Sequence, residues 1–217
     1  MIEGNFIVIE GVDGAGTTTH TKCLAEYLLG RSLPVHTTRE PSDGPVGMML
    51  RQILTGRVVV PGMHGGHAPS WTTMALLFAA DRHDHLEAEI IPNLMDGVTV
   101  ISDRYDASSV AYQSLSGGEG ADAIKWVLEL NRHARRPDLT VVLDLPPAVA
   151  AKRRLTRTTG RELYDDDALQ GALANFYSRI ETYFPEDRIA HVDANRPVEV
   201  VAAEIAARVR EVRGDPT

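Results

Sequence analysis

At 217 residues, with 43% apolar and 24% charged side chains, the chain suffices for one well-buried domain and needs no second. A formal net charge of -8 argues against a general nucleic-acid binder, whose footprint is a basic face, and the lone cysteine, Cys23, rules out an intramolecular disulfide. No apolar run reaches membrane-spanning length and no signal-peptide pattern opens the chain, so a soluble cytoplasmic protein with no membrane partner is expected.

The first element is a strand over Asn5–Glu10, whose run Phe6-Ile7-Val8-Ile9 leads into Gly11-Val12-Asp13-Gly14-Ala15-Gly16-Thr17-Thr18 and a helix over Thr18–Leu29. This is the layout of a phosphate-cradling P-loop, G-x-x-x-x-G-K-[ST]. Gly11 and Gly16 take the glycine positions and Thr18 the Ser/Thr position, while Thr17 stands where the lysine belongs. The glycines let successive N–H groups converge on phosphate oxygens, and the helix start adds unpaired donors and a positive dipole end. What is missing is the point charge that follows the β- and γ-phosphates. A plain strand–turn–helix is the bland alternative, and three glycines in six residues disfavour it. Cys23 falls inside the helix, where a buried, inert thiol is expected.

A second strand, Val35–Arg39, runs into Glu40-Pro41 and a helix over Val46–Leu54 that carries Arg51. The stretch Gly56–Pro69, with four glycines and two histidines, is the longest break and is expected to be mobile. A long helix over Ser70–Met95 places Phe78 and Arg82 four apart on one face. Alone Phe78 reads as core, but an aromatic face beside a planar guanidinium suits a nucleobase. His83 and His85 are two apart and point away from each other, so shared metal ligation is not expected, and His64 and His67 are loop ligands at most.

The third strand, Val98–Ser102, opens onto Asp103-Arg104-Tyr105-Asp106-Ala107-Ser108-Ser109-Val110-Ala111-Tyr112-Gln113, with helices over Ala107–Leu115 and Asp122–Ala134. A fourth strand, Leu139–Leu145, precedes a helix over Ala148–Arg157. A fifth, Ile189–Val192, lies between helices over Asp167–Phe184 and Val198–Val212. Strands alternating with helices predict a parallel sheet covered on both faces, with ligands bound outside the carboxyl ends of the strands. The candidate residues cluster just after those ends. Lys152, Arg153, Arg154, Arg157 and Arg161 put five of the 22 Lys and Arg residues within ten positions of an acidic chain, which weakens the usual reading of such a run as a solvated helix face.

The P-loop frame, Thr38-Arg39-Glu40-Pro41, the Phe78…Arg82 pair and Asp103-Arg104-Tyr105…Ser108-Ser109…Tyr112-Gln113 follow the order and spacing of the thymidylate kinase family, which the chain resembles over nearly its whole length. The resemblance implies an α/β fold of P-loop NTPase type, a five-stranded parallel sheet with helices on both faces and a basic lid. It implies one nucleoside monophosphate kinase domain over 1–217, with the lid at about 152–165. The implied activity moves the γ-phosphoryl of ATP onto dTMP with Mg2+ as cofactor, in a homodimer packed through helices that include the one bearing Phe78.

By the same resemblance, Gly11, Val12, Asp13, Gly14, Ala15, Gly16, Thr17 and Thr18 would hold ATP, with the Thr18 hydroxyl on Mg2+ and Asp103 as a carboxylate behind it. The bland role for Asp103 is a cap on the following helix. Phe78 would stack on thymine and Arg82 would bond its O4 edge, with Ser108, Ser109 and Gln113 adding polar contacts. Tyr112 would crowd the sugar 2′ position, and Arg51 and Arg104 would hold the acceptor phosphate. Asp13 and Glu40 would face the sugar or phosphate end, with Pro41 shaping the turn beneath.

Some family members carry an arginine directly after the Asp13 position, where this chain has Gly14. The lid, through Arg153, Arg157 and Arg161, is therefore expected to supply the missing charge. The acceptor oxygen is already anionic, so no strong general base is required and positioning dominates. Two alternatives stay open: a nucleotide-binding sensor or partner-dependent module with impaired transfer, and a kinase for another pyrimidine monophosphate.

Overall fold

The structure is a computed structural model that describes residues 3–63, 65–117, 120–155, 163–164 and 167–214. The described residues build an all-parallel five-stranded sheet in the order β2-β3-β1-β4-β5, formed by β1 (Phe6–Gly11), β2 (Val35–Arg39), β3 (Thr99–Asp103), β4 (Leu139–Asp144) and β5 (Ile189–Asp193). Helices α1 (Thr17–Gly30), α2 (Pro45–Leu54), α3 (Trp71–His85), α4 (Ile91–Met95), α5 (Asp106–Gly117), α6 (Ala121–Leu130), α7 (Pro147–Leu155), α8 (Asp167–Tyr177) and α9 (Val198–Arg213) connect and cover it.

The central strand shows why both faces must be covered. All six residues of β1 are buried, and they alternate between two cores. Ile7 and Ile9 pack with Leu24 and Leu28 of α1 and with Ile205 and Val209 of α9. Phe6 and Val8 pack with Leu86, Ile90, Leu94, Val100 and Tyr105 on the other side. The edge strands β2 and β5 are half exposed and carry polar residues, which blunts their free edges. Because β1 lies between β3 and β4, the chain leaves it toward opposite sides, and a crevice opens at its carboxyl end.

The helix expected over Ser70–Met95 is continuous but changes pitch. Between α3 and α4, Leu86–Ile90 form a π turn. Pro92, early in α4, lacks an N–H and would press on the carbonyl one turn back, so a wider turn relieves the clash. The helix expected to reach Ala134 stops at Leu130, where the Asn131 side chain donates back to the Val127 carbonyl at 2.7 Å and accepts from Arg82. The one expected to reach Phe184 stops at Tyr177, where Ser178 and Arg179 side chains claim the Asn175 carbonyl and a 3-10 turn, Ile180–Thr182, comes next. Cys23 is half buried rather than buried. The glycine-rich break is pinned by paired backbone bonds between Val60 and His67, and His64 lies outside the described residues.

One close approach fixes the turn after β2, next to Glu40 and Pro41. A Cβ on Gly47, in α2, would lie 2.1 Å from the Ser42 carbonyl oxygen and 2.6 Å from its nitrogen. Ser42 is held in turn by Asp81 of α3, through its backbone N–H at 2.8 Å and its hydroxyl at 2.5 Å. Gly47→Ala is expected to force this turn away from α2 and to cost about 1–3 kcal/mol. Thermal melting should show Tm falling by roughly 2–4 °C per kcal/mol at this chain length.

Candidate active site

The turn after β1 is shaped by its backbone. Gly14 and Gly16 hold φ of 93° and 100°, a region that side chains disfavour, and Ala15 N–H donates to the Val12 carbonyl at 3.0 Å. Gly16 caps α1 without a side-chain bond, so the first N–H groups of the helix are left for an anion. Thr17, at the lysine position, is buried and lines the crevice. The Thr18 hydroxyl donates to the Asp103 carboxylate at 2.5 Å. That bond engages Asp103 with the P-loop helix rather than as a cap on α5, which starts at Asp106. Two hard oxygen donors side by side at the loop fit Mg2+, which takes few protein ligands and keeps phosphates and water for the rest.

The crevice beyond the loop has a volume of about 320 Å3. Asp13, Thr17, Thr18, Glu40, Pro41, Arg51, Phe78, Arg82, Asp103, Arg104, Ser108, Ser109, Tyr112 and Gln113 all line it, drawn from three strand ends and four helices. Leu54, Thr55, Tyr105, Tyr164 and Arg39 complete the wall. Arg51 donates to the carbonyls of Pro41 (2.7 Å) and Ser42 and to the Asp43 carboxylate (2.9 Å). The hydrogen bond from Arg39, aided by Arg51, holds the Asp43 carboxyl below the usual range.

Arg82 is wholly buried. Its guanidinium donates to Glu40 Oε2 and Asn131 Oδ1, each at 2.5 Å, and to Ser109 Oγ at 2.9 Å, and it lies over the Tyr105 ring. Burial works against its charge, but Glu40 first and then Asp106 outweigh it and raise its pKa. Two buried atoms on this wall, Arg82 Nε and Gln113 Oε1, have no partner among the described residues.

Arg104 takes φ 74°, unusual for a side chain, and its backbone N–H donates to Ile9 O at 3.0 Å. That conformation turns its guanidinium onto Gly11 O (2.9 Å), Ser108 Oγ (3.1 Å) and Asp13 Oδ1 (2.6 Å). Although burial opposes its charge, Tyr112, Asp13, Tyr177 and Glu10 hold it well above its ordinary pKa, so it stays a cation. The Tyr112 ring lies 5.3 Å from that guanidinium and edge-on to Tyr164.

Arg153 of α7 is brought to the P-loop rather than into the crevice, reaching Gly14 O at 3.4 Å and Ala194 O at 3.1 Å. Arg157 and Arg161, with most of the lid at 152–165, lie outside the described residues. Several residues here carried no sequence signal that separated them from their neighbours. Arg154 reaches Asp13 O at 3.3 Å, and Gln170 of α8 donates to Asp13 Oδ2 at 3.1 Å. Tyr164 faces Gln113, and Glu10 lies beneath the whole site.

Glu10 has no exposure to solvent. Its carboxylate accepts from Tyr105 N–H (2.9 Å), Ser108 N–H (3.2 Å), Ser108 Oγ (2.7 Å) and Tyr177 Oη (2.9 Å). Burial pushes its pKa up, against the pull of Arg104 and these donors. His20, in α1, is pushed down by burial and by Arg153.

Comparison with known proteins agrees with this geometry. The family model described as thymidylate kinase matches residues 9–205. A probable thymidylate kinase of Pyrococcus horikoshii is 38% identical over 209 residues, covering 96% of this chain and 97% of its own. One of Thermococcus kodakarensis is 39% identical over 211 residues, covering 97% and 99%. A thymidylate kinase of Symbiobacterium thermophilum is 37% identical over 207 residues, covering 95% and 93%.

A raised carboxyl binds its proton more tightly folded than unfolded. Its stabilising contribution is full below the unfolded pKa and is lost as pH rises through the folded one. Glu10→Gln keeps the shape of the group and cannot ionise. Melting both proteins from acid to neutral pH should show Tm of the variant gaining on the parent as pH rises. Parallel curves would mean that Glu10 does not titrate in this way.

Proposed function

The chain belongs to the thymidylate kinase family, and from that premise we propose that it transfers the γ-phosphoryl group of ATP to dTMP, giving dTDP and ADP, with lid arginines replacing the P-loop lysine charge. The observation that carries the acceptor half is the pair of unpartnered buried atoms on the crevice wall, the donor Arg82 Nε and the acceptor Gln113 Oε1. A thymine edge offers a carbonyl oxygen and an N–H that match them, whereas a cytosine edge offers the reverse. Phe78 and Tyr112 give this wall its apolar faces, and Tyr112 crowds the sugar, favouring deoxyribose. Glu40, Asp13, Pro41, Ser108 and Ser109 shape the polar end.

The donor phosphates lie on the backbone of residues 11–18. Mg2+, served by Thr18 with Asp103 behind it, neutralises phosphate charge when bound. Arg104 and Arg51 hold the acceptor phosphate in line. An acceptor oxygen bonds to the γ-phosphorus as the bond to the β,γ-bridging oxygen breaks, leaving its electron pair on ADP. The acceptor is already anionic, so no side chain need remove a proton, and orientation with charge stabilisation accounts for catalysis.

Losing one such donor typically costs about 3–4 kcal/mol, roughly a hundred- to a thousandfold in rate. Arg153, whose guanidinium reaches the loop at Gly14, supports compensation from the α7 side, to which Arg157 and Arg161 belong in sequence. A homodimer packed through helices including α3 completes the reading, and the exposed Leu76 on α3 supports it. Among the described residues no helix is long and apolar enough to cross a membrane, which fits a cytoplasmic enzyme.

Thr17 favours a second reading, a nucleotide-binding protein with impaired transfer. Steady-state turnover of ATP with dTMP separates the two. The natural chain should form dTDP, Arg157→Ala should lower kcat by roughly a hundredfold, and Thr17→Lys should restore part of that loss in the double variant. Tight dTMP binding with no dTDP, rescued by Thr17→Lys, would select the second reading. A panel containing dUMP and dCMP tests the choice of acceptor.

A further inference from the structure

We propose that His85 is a positioning residue for the acceptor base: from the end of α3 it fixes the Glu40 carboxylate, and through Glu40 the guanidinium of Arg82. The inference rests on the base-reading role given above to Arg82.

His85 is buried one turn after Arg82. Its Nδ1 lies 3.4 Å from Glu40 Oε1, while Glu40 Oε2 accepts from Arg82 at 2.5 Å. The two oxygens of one buried carboxylate are thus divided between two partners. A carboxylate has a broad terminal torsion, so a bond to one oxygen alone leaves its plane free to turn. The second bond fixes that plane and with it the direction in which Arg82 is held.

The other side of the imidazole is held as well. Nε2 lies 2.7 Å from the Thr38 hydroxyl and 3.5 Å from Glu89 Oε2, and Glu89 is itself paired with His36 at 2.7 Å. Burial acts to raise the Glu89 carboxyl, but hydrogen bonds from His36 and Thr38, with the charges of both histidines, bring it below the usual range. His36 and Glu89 are partly exposed, so a continuous polar chain runs from solvent at the β2 edge to the base wall. Glu89 lies in the π turn that begins directly after His85, and such turns recur at functional sites.

Two substitutions separate positioning from packing. Asparagine at 85 keeps a donor where Nδ1 stands, and glutamine keeps a polar group where Nε2 stands. His85→Gln is expected to raise KM for dTMP by about tenfold, the scale of one lost buried hydrogen bond, with kcat and KM for ATP within about twofold. His85→Asn should return KM for dTMP to within about threefold of the parent. Equal rises in the two variants, or a fall in kcat that tracks Tm in both, would overturn the proposal and leave His85 a packing residue. Arg82→Met is the control on the underlying reading. If it leaves KM for dTMP unchanged, Arg82 does not read the base; if it raises KM while His85→Gln does not, the His85 proposal alone fails.

Discussion

A carboxylate without access to water holds the two halves of the crevice together. Glu10 sits on the central strand directly before the P-loop, and its four hydrogen bonds go to the Tyr105–Ser108 turn and to Tyr177 of α8. Arg104 directly precedes that turn, and α8 carries Gln170, which bonds Asp13. The P-loop and Arg104 are thereby referred to one buried group. Burial opposes the charged form of a carboxyl in such a place, while the nearby Arg104 cation and the donors on each oxygen support it. The unusual φ of Arg104 belongs to the same arrangement. Strain of about 1–3 kcal/mol persists where surrounding bonds over-determine the backbone, and here Ile9 O, Glu10 and the Ser102 hydroxyl do so.

The other wall obeys a similar rule with opposite sign. Arg82 is a buried cation whose nearest anion, Glu40, comes from the end of β2. Removing one partner of such a pair typically costs about 3–5 kcal/mol, because the other is left charged and unpaired. The pair therefore fixes α3 against β2, and Asp81 does the same for the adjoining turn through Ser42. Consecutive residues on α3 thus grip two parts of one loop. Arg51, reaching back from α2 to the carbonyls of Pro41 and Ser42, grips it a third time. A crevice wall made of loop is in this way held nearly as firmly as one made of strand.

Much of this was legible in the chain. Each strand is a short β-branched or apolar run that ends in polar residues, so strand positions and the clustering of the site after them came from pattern alone. Arg82 stood out as a charge in an otherwise apolar stretch one turn after Phe78, whereas the roles of the Asp103–Gln113 series came from the family resemblance. Partners remote in sequence were not visible. Nothing local marks Gln170 as the neighbour of Asp13 or Asn131 as the neighbour of Arg82, since those contacts exist only once α6 and α8 have docked. The π turn was hidden for another reason. Pro92 signals an interruption, but whether a helix breaks, kinks or widens there depends on packing, and burial of Leu86, Ile90 and Leu94 in one core keeps it continuous.

The packing of α7 bears on where a replacement charge can stand. A Cβ on Gly14 would lie 2.9 Å from the Ala150 carbonyl oxygen, and φ at that position is 93°. An arginine at 14 is therefore barred by the seating of α7 on the loop, independently of any loss at position 17. That seating also delivers Arg153 and Arg154 to the carbonyls of Gly14 and Asp13, one turn before the chain enters residues 156–162. A helix that excludes a cation from inside the loop while ending in a basic run places positive charge beside the loop rather than within it. On the proposed reading, Thr17 and Gly14 are then two consequences of one geometry, in which α7 sets the basic run Lys152–Arg154 beside the loop.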